Sequence, residues 1–296
     1  MKILVVSGGI SPERVVSFKS AKAVKYAIEK NGYQCKIFDL KKGYPALKKI
    51  ISQFNIIFPV LHGEEGEGGK LQAFLHKTGI PYVGGSPQGF KQGWHKISFK
   101  QFCDKNNIST PKWKKVNCLK DVEKFGVPSV LKSSNGGSSL EVVILKSLKD
   151  IKSYQTQKLL NSNLPLFIEE YVSGIEVTVG ILGNRVLPVI EIKPPKGEWF
   201  DYKNKYTGKT QEIINAPSLD KKTQIQVQDL ALMIHKKLDL GSYSRIDFII
   251  SNNIPYVLEI NTIPGLTDQS LFPKATLASG ISFEELIKEL IDLSFK

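Results

Sequence analysis

Residues 244–261 read SRIDFIISNNIPYVLEIN, and this stretch constrains the fold more than any other. Apolar and polar residues alternate in its first and last thirds, a pattern typical of half-buried β-strands. Polar residues that favour a tight turn separate the two alternating segments, so the sequence predicts an antiparallel ribbon. We place the centre of the turn at Asn253, a choice that decides which side chains of the two strands lie opposite each other.

This register brings four polar side chains together. Asp247 lies opposite Glu259 and Arg245 lies opposite Asn261, with directly paired residues about 5 Å apart at Cβ on one face of the ribbon. Two carboxylates and an amide oxygen suit a hard cation such as Mg²⁺, which is often shared with substrate phosphates. The alternative is an exposed charged face on which Arg245 pairs with Asp247. We favour the cation site because the opposite face of the ribbon is uniformly apolar.

The run that follows the ribbon, 262–271, reads TIPGLTDQSL. A Pro-Gly turn directly after the second strand exposes backbone N–H groups beside the predicted cation. Together with Arg245, these groups could stabilise a developing oxyanion. Taken alone, the run is better explained as a plain turn before a helix, so its functional interpretation depends on the ribbon.

A glycine-containing segment, 136–139 (GGSS), lies between two predicted strands and follows Lys132. Glycines let a backbone approach phosphates closely, and serine hydroxyls and N–H groups supply donors. A Gly-Ser hairpin turn is the commoner explanation of such a segment. Lys132 favours phosphate binding, because a lysine within the apolar strand 128–133 needs a charged partner, and a triphosphate is one.

Two loops of the N-terminal third lie at the ends of predicted strands. The first, 8–14 (GGISPER), is at the carboxyl end of the first strand, where open α/β sheets bind ligands, and its Glu13 suits a substrate ammonium. Equally, Glu13 and Arg14 could simply start a helix, with Glu13 favoured by the helix dipole. The second loop, 61–69 (LHGEEGEGG), offers His62, which could contact substrate or cap a turn.

Strands alternate with helices over residues 1–88, which predicts a βαβ-type α/β domain with a parallel sheet. A second predicted unit, 89–174, has strands on both sides of a helix near 147–160, and a third, 175–296, contains the ribbon. Residues 194–216 are polar, rich in glycine and lysine, and without periodicity, which is typical of a functional lid. The expected architecture is therefore an N-terminal α/β domain followed by a region in two parts.

The composition is that of an ordinary soluble protein, with 41% hydrophobic residues in 296. No apolar run approaches the ~20 residues that cross a bilayer, and the first residues lack the features of a signal peptide, so we expect a cytoplasmic protein without membrane contact. Cys35, Cys103 and Cys118 have no metal-type spacing and are interpreted as reduced thiols.

The net charge of +13 raises the possibility of a nucleic-acid partner. Only 3 of the 41 basic residues are arginines, whereas proteins that recognise phosphates and base edges rely on the bidentate arginine fork. The lysines are also spread along the whole chain instead of forming one block. We therefore expect no nucleic-acid partner, although the charge would favour a polyanionic small molecule.

Over nearly its whole length the chain resembles the D-alanine–D-alanine ligase family, through nine motifs in order and with compatible spacing. The motifs are GGxSxER at 8–14, LHG and GExG within 61–69, Lys96, Lys132 with GSS at 137–139, Glu169 with Glu176, DYxxKY at 201–206, RxD at 245–247, and ExN followed by PGLTxxSL within 259–271. Any one motif could occur by chance, but nine in order make a specific match.

The resemblance implies an ATP-grasp fold and an enzyme that joins two D-alanine molecules through an acyl phosphate, for peptidoglycan precursor synthesis. It implies a homodimer that uses ATP and two Mg²⁺ or Mn²⁺ ions. The implied nucleotide-binding residues are Lys96, Lys132, Glu169, Glu170, Val172, Glu176 and Lys205. The implied metal ligands are Asp247, Glu259 and Asn261. The loop 196–210 would close over the bound nucleotide.

The resemblance also implies roles toward the amino acids. Glu13 would bind the ammonium of the first D-alanine and would be linked by hydrogen bonds to Ser138 and Tyr206. Arg245 and the Gly265 amide would form the oxyanion site. The residues implied to contact substrate are His62, Ser270 and Leu271.

The chain departs from the family pattern near the implied phosphate site. The departures are Gly68 where Asp is common, Trp94-His95 where Met-Asp is usual, Ser133 where Pro is usual, and Leu140-Glu141 where Val-Gly is usual. Three alternatives stay open. They are a ligase with another acceptor such as D-lactate, against which Tyr206 argues by resemblance, a basic nucleic-acid-binding protein, and an impaired relative that retains ATP binding.

Overall fold

The computed structural model describes residues 1–137, 141–195 and 210–295, and its N-terminal part is built on a three-stranded parallel sheet. The strands, in the order β2-β1-β3, are β1 (Lys2–Ser7), β2 (Gln34–Asp39) and β3 (Ile56–Pro59). Helix α1 (Arg14–Lys30) packs on one face of β1 and β2 and buries Ile3 and Val5, while Leu4 and Val6 are buried on the opposite face in a second cluster with Leu71 and Leu75. This is the βαβ arrangement that the sequence predicts.

Short helices connect this sheet to the rest of the molecule. They are α2 (Tyr44–Lys48), α3 (Glu64–Glu67), α4 (Lys70–His76), α5 (Pro87–Trp94) and α6 (Lys96–Lys105). Helix α5 has Ser86 as its N-cap and a proline in its first turn, both favourable at a helix start. Helix α6 follows after a single residue, so Lys96 lies at its first position.

The second sheet is antiparallel and has four strands. The strands are β4 (Trp113–Val116), β5 (Ser129–Ser133), β6 (Val142–Leu145) and β7 (Leu166–Glu170). They lie side by side in the order β4-β7-β5-β6. Helix α7 (Leu119–Phe125) precedes β5. The single helix predicted near 147–160 is wrong: two helices, α8 (Leu148–Ile151) and α9 (Tyr154–Leu160), occupy that span. Ser153 caps the start of α9 by accepting a hydrogen bond from the Thr156 N–H, which ends one helix and begins the next.

The third sheet is antiparallel with six strands. They are β8 (Ile175–Leu182), β9 (Arg185–Val186), β10 (Ile190–Lys193), β11 (Gln211–Ile214), β12 (Tyr243–Ser251) and β13 (Ile254–Asn261). The order is β11-β10-β8-β12-β13, with β9 paired to β8. A hairpin turns at Gly183-Asn184, and the strand that follows the turn is divided into β9 and β10. Pro188 lies in the gap, where its missing N–H interrupts the ladder.

The register of the β12–β13 ribbon is the one predicted, because Asp247 pairs with Glu259 and Arg245 with Asn261. The position of the turn differs from the prediction. The two turn residues are Asn252 and the following asparagine, both with positive φ, as a two-residue type I′ turn requires.

A β-bulge reconciles this turn with the predicted register. Phe248 pairs with Val257, whereas Asp247 pairs with Glu259, so Leu258 is an extra residue on β13. A regular ladder from a turn centred between Asn252 and Asn253 would pair Asp247 with Leu258, and the bulge restores the pairing of the two acids.

Helix α10 (Lys221–Lys237) packs on the third sheet, and α11 (Leu271–Ala278) and α12 (Phe283–Leu293) complete the chain. Ser282 and Glu285 form a capping box at the start of α12. No helix in the described ranges is both long enough and apolar enough to cross a membrane.

Candidate active site

Two adjoining cavities lie where the three sheets meet. One, of about 500 Å³, lies between the second and third sheets. The other, of about 1040 Å³, lies between the first unit and the ends of β12 and β13. Four residues line both cavities, namely Lys96, Gly136, Gly137 and Glu259. A ligand in one cavity can therefore reach a ligand in the other at this boundary.

The smaller cavity brings together every described residue to which the resemblance assigns nucleotide binding. Those residues are Lys96, Lys132, Glu169, Glu170, Val172 and Glu176. Its apolar walls come from both sheets and include Val130, Ile144, Ile249 and Leu258. Lysines at one end and apolar side chains elsewhere suit a ligand with a flat ring and a polyanionic tail. Lys205 lies outside the described residues.

Lys132 already has a charged partner in the protein, which corrects the expectation that a triphosphate must supply it. Its Nζ lies 2.5 Å from Glu169 Oε1, and Lys100 Nζ lies 2.5 Å from Glu169 Oε2. Burial lowers the pKa of Lys132, but the Glu169 carboxylate outweighs this and holds that pKa above its ordinary value.

Lys96 stands at the boundary between the cavities. Its Nζ donates a hydrogen bond to the Gly136 carbonyl at 2.7 Å and lies 3.3 Å from Glu259 Oε2. The Lys96 N–H donates to the Ser134 carbonyl at 2.9 Å. The helix start and the glycine segment are thus held together at the point where the ribbon contributes Glu259.

On the ribbon face, Arg245 pairs with Asp247, as the alternative interpretation expected. Nε and Nη2 of Arg245 lie 3.0 and 3.1 Å from the two carboxylate oxygens of Asp247. The face is not exposed, however, since both side chains are only 13% exposed. Thr178 Oγ1 and Asn261 Nδ2 also donate to Asp247, at 2.5 and 2.9 Å. Burial lowers the pKa of Arg245, but Asp247 outweighs this and raises it.

The donor set at this boundary fits a hard cation. Asp247 lines the smaller cavity, Asn261 lines the larger one, and Glu259 lines both. These side chains offer two carboxylates and an amide, the ligand types that Mg²⁺ prefers. Among the described residues there is no cluster of three His, Cys, Asp or Glu side chains that could hold a metal.

The larger cavity is lined by the described residues to which the resemblance assigns the amino acids. These are Glu13, His62, Arg245, Gly265, Ser270 and Leu271. A β-carbon added at Gly137 would lie 3.4 Å from Glu13 Oε2, so the carboxylate faces the glycine segment. Ser270 Oγ is fixed by Thr267, whose N–H and hydroxyl lie 3.2 and 2.8 Å from it. Ser138 and Tyr206 lie outside the described residues.

Two further titratable residues, the half-buried His62 and the buried Glu67, line this cavity. Burial, together with the positive charge of Arg245, lowers the pKa of His62, although Glu13 opposes this. Burial, together with the Glu13 carboxylate, raises the pKa of Glu67 to about 8. A Glu67 carboxylate oxygen accepts a hydrogen bond from the Gly63 N–H at 2.9 Å. At neutral pH the cavity thus holds a neutral imidazole and a largely protonated acid.

Arg14 does not serve the cavity. It forms a bidentate pair with Asp39, at 2.8 and 2.6 Å, and donates to the Gly9 carbonyl. The Arg14 guanidinium lowers the pKa of Asp39 to about 2. Arg14 therefore fixes the loop that places Glu13.

Trp94 and His95, which replace the usual Met-Asp pair of the family pattern, connect the first unit to the glycine segment. Trp94 Nε1 donates to Glu64 Oε2 at 2.5 Å, and the edge of its ring would lie 3.3 Å from a β-carbon at Gly137. His95 Nδ1 lies 2.9 Å from Asn135 Oδ1. Trp94 thus connects Glu64 to the glycine segment through its indole N–H and its ring. A methionine at this position would have no side-chain donor for Glu64.

Sequence reasoning missed three residues of the site: Glu67, Trp94 and Lys100. Glu67 was visible within a quoted motif, but nothing in the sequence indicated its burial. Lys100 follows Lys96 by one helical turn, a spacing that places both on one face of α6. That spacing was the available signal for Lys100.

Two sheets enclosing a lysine-lined cavity, with paired carboxylates where it meets a second cavity, define a protein of the ATP-grasp class. The family model for the C-terminus of D-Ala–D-Ala ligases matches residues 93–292, and the model for the N-terminus matches residues 44–85. The chain belongs to the D-alanine–D-alanine ligase family.

Individual relatives agree over the full length. A D-alanine–D-alanine ligase of Maridesulfovibrio salexigens is 38% identical over 299 residues, covering 99% of this chain and 98% of the relative. One from Clostridium botulinum is 37% identical, covering 100% and 99%. The solved structure of a D-alanine–D-alanine ligase from Bacillus anthracis superposes with a TM-score of 0.88 at 30% identity, covering 100% of this chain and 97% of that one. A D-Ala:D-Ser ligase from Enterococcus faecalis superposes with a TM-score of 0.83 at 26% identity, covering 99% of each chain.

Proposed function

We propose that this protein uses ATP to join two D-alanine molecules into D-alanyl-D-alanine, a building block of peptidoglycan. The observation that carries the proposal is the boundary shared by the two cavities. Lys96, Glu259 and the glycine segment line both, so the terminal phosphate of a nucleotide and the carboxylate of an amino acid can meet there. The ligases among the relatives support D-alanine as the amino acid.

In the first step, a carboxylate oxygen of the first D-alanine attacks the γ-phosphorus of ATP. An O–P bond forms, the bond to the β-phosphate oxygen breaks, and ADP leaves with an acyl phosphate remaining. Lys96 and Lys132 stabilise the charge on the phosphates, and Glu13 orients the substrate by binding its ammonium. Positioning and electrostatic stabilisation are the main contributions a protein makes to such a transfer.

In the second step, the amine of the second D-alanine attacks the acyl carbon. Arg245 and the Gly265 N–H stabilise the oxyanion, the C–O bond to phosphate breaks, and the proton released by the amine leaves with phosphate. Ser270 and Leu271 contact the second D-alanine, and His62, which lines the same cavity, contacts substrate. By the resemblance, Ser138 and Tyr206 would be linked by hydrogen bonds to Glu13, and Lys205 would reach the transferred phosphate. Closure of the loop 196–210 over the nucleotide would exclude water from the acyl phosphate.

Two Mg²⁺ or Mn²⁺ ions are part of the proposal, held by Asp247, Glu259 and Asn261 together with the phosphates. When bound, such ions neutralise phosphate charge and orient the γ-phosphate for in-line attack. The donor chemistry of the three side chains and their position at the cavity boundary support this assignment.

Further expectations from the sequence belong to the same proposal. We propose three units at 1–88, 89–174 and 175–296, supported by the three sheets, each of which lies within one of these ranges. We also propose a homodimer in the cytoplasm with small-molecule partners only. Sedimentation of the purified protein would measure its oligomeric state.

The proposed function is tested by exchanging Asp247 for Asn. The Asp247→Asn variant keeps the size of the side chain but removes a carboxylate from the cation site. We expect phosphate release with ATP, Mg²⁺ and D-alanine to fall on the order of 100-fold or more. Asp292→Asn is the matched control, because Asp292 is exposed and pairs only with Lys288, one helical turn away on the surface.

Product analysis separates the remaining candidates. D-alanyl-D-alanine should form from D-alanine alone, while D-lactate and D-serine are offered as competing acceptors. Near-normal turnover by Asp247→Asn would contradict the cation site. A wild-type protein that binds ATP but releases no phosphate with any acceptor would identify an impaired relative.

A further inference from the structure

Lys100 is a buried charge without a role in the proposed reaction. It lies on α6 one turn after Lys96, and its side chain is only 1% exposed. In the described part of the chain it lines neither cavity, so it does not face a ligand. A lysine ammonium in such a position is costly to bury unless it is fully paired.

The partners of Lys100 connect it to the nucleotide cavity. Its Nζ lies 2.5 Å from Glu169 Oε2 and donates to Thr110 Oγ1 at 2.5 Å. Glu169 is 2% exposed, and its other oxygen lies 2.5 Å from Lys132 Nζ. One buried carboxylate therefore bridges two ammonium groups, of which only Lys132 lines the cavity.

The charges of this triad decide how available Lys132 is to a polyanion. Two lysines and one carboxylate give a net charge of +1 when all are ionised. Without Lys100 the net charge would be zero, and Lys132 would be the only ammonium in contact with Glu169. The Glu169 carboxylate, with its charge no longer shared with Lys100, would then attract Lys132 more strongly and compete with phosphate for it, because the site has a low dielectric constant.

We propose that Lys100 is a positioning residue of the nucleotide site, which neutralises Glu169 and so leaves Lys132 available to the phosphates. The inference rests on the proposed nucleotide site, and it adds to that site a residue that never touches the ligand. Glu169 acts as the relay between the two lysines.

The pKa values of Lys100 and Glu169 are shifted by the same contact: burial lowers the pKa of Lys100, although Glu169 opposes this. Burial raises the pKa of Glu169, but Lys100 and Lys132 outweigh it and lower that pKa below its ordinary value. The carboxylate is therefore charged at neutral pH and needs neutralisation from the protein.

A purely structural role makes a different prediction. Thr110 accepts from Lys100 and donates through its hydroxyl to the Val257 carbonyl at 2.7 Å, beside the bulge of β13. If Lys100 acted only as an anchor between α6 and the ribbon, removing the threonine hydroxyl would disturb the site as much as removing the lysine charge. The electrostatic role predicts that only the charge matters.

The test is a calorimetric titration of the full-length protein with ADP and Mg²⁺, which requires binding but no turnover. Lys100→Gln removes the charge and keeps a hydrogen-bond donor, and its dissociation constant for ADP should rise at least about tenfold. Lys105→Gln, on the same helix but exposed, is the matched control and should bind as the wild type does. Thr110→Val should bind within about threefold of the wild type.

A double-mutant cycle shows whether the effect passes through Glu169. In a Glu169→Gln background the carboxylate no longer competes for Lys132, so adding Lys100→Gln should weaken ADP binding by less than about threefold. An equal loss in both backgrounds would overturn the relay, and so would unchanged ADP binding by Lys100→Gln.

If Lys100→Gln does not fold, Lys100→Arg and Thr110→Val carry the test, because both keep the charge. Affinity within about threefold of the wild type supports the proposal, and a loss above about tenfold in either overturns it. Should wild-type protein bind ADP but make no dipeptide, the proposed function fails while this test stays valid. In an active enzyme, Lys100→Gln should raise the KM for ATP and leave that for D-alanine nearly unchanged.

Discussion

His235 shows how a single buried polar residue makes the fold depend on pH. Its Nε2 lies 3.2 Å from the Gly241 carbonyl and its Nδ1 lies 2.8 Å from Ser244 Oγ. A carbonyl only accepts, so Nε2 carries the proton and Nδ1 accepts from the serine hydroxyl. Burial lowers the pKa of His235 from 6.5 to about 4, because the charged ring would be desolvated and would lose this arrangement.

We therefore expect a loss of stability in mild acid. The pKa of His235 is lower in the folded protein than in the unfolded chain. The contribution of neutral His235 to the free energy of unfolding is therefore complete above pH 6.5 and is lost as the pH falls from there toward 4. Between pH 7 and 5, the free energy of unfolding of the wild type should drop by about 1–2 kcal/mol more than that of His235→Gln. Denaturant unfolding at the two pH values measures this difference. His76→Gln should keep the wild-type dependence, and an equal drop in all three proteins would contradict the assignment.

Most residues that would contact ligands could be predicted from the sequence. The residues that position those side chains could not. Asp247 and Glu259 were predictable because a two-residue period fixes the face on which each side chain lies. Lys100 and Glu169 pair across two elements far apart in sequence, and no local pattern encodes that contact. Glu67 has the same difficulty, since its pKa depends on its burial in the folded protein and on the charge of Glu13, which is distant in sequence.

The turn of the ribbon also has one feature that the sequence predicts and one that it does not. The alternating pattern gave the two strands, and the paired asparagines gave a turn, but the bulge at Leu258 arises from packing and is invisible in the pattern. Asn252 and Asn253 both have positive φ, at 51° and 61°. Asparagine tolerates this conformation better than most residues with a β-carbon.

Substitutions at Asn253 should follow this backbone requirement. Asn253→Ala should lower the free energy of unfolding by about 1 kcal/mol, because alanine is strained at positive φ. Asn253→Gly should cause no loss, since Asn-Gly is the preferred pair for a type I′ turn. Denaturant unfolding of both variants measures the difference. The KM for ATP should stay unchanged in both, as the turn lies at the end of the ribbon away from Asp247. A variant pair of equal stability would exclude strain at this turn.

At the scale of the whole molecule, the larger cavity takes its lining from all three units, and its two sides come from the first and the third. Glu13 and His62 come from the first unit, and Arg245 comes from the third. Residues 84–86 join 239–242 through backbone hydrogen bonds, including Ser86 N–H to the Asp239 carbonyl at 2.8 Å and Ser242 N–H to the Gly84 carbonyl at 3.0 Å. Sequence periodicity predicts each unit but says nothing of this junction, because the contacts are between backbones.

Gly89 is the position on α5 where the junction leaves no room for a side chain. A β-carbon there would lie 1.8 Å from the Leu238 carbonyl oxygen, a backbone atom at the end of α10. In an isolated helix, replacing glycine by alanine stabilises by about 1 kcal/mol. Here the steric clash should win, since overpacking against a fixed backbone costs about 1–3 kcal/mol or more.

Gly89→Ala should therefore lower the melting temperature and push α5 away from the end of α10. Gly93→Ala is the matched control on the same helix, because its β-carbon would lie 3.1 Å from a Thr262 methyl group, a contact that a shift of a few tenths of an ångström relieves. The larger cavity spans the junction and the smaller one does not, so Gly89→Ala should raise the KM for D-alanine more than that for ATP. Thermal unfolding and the two KM values test this together. If Gly89→Ala and Gly93→Ala had the same melting temperature and the same KM values, α5 and the end of α10 could move apart without cost. The shared boundary of the cavities would then not depend on this contact.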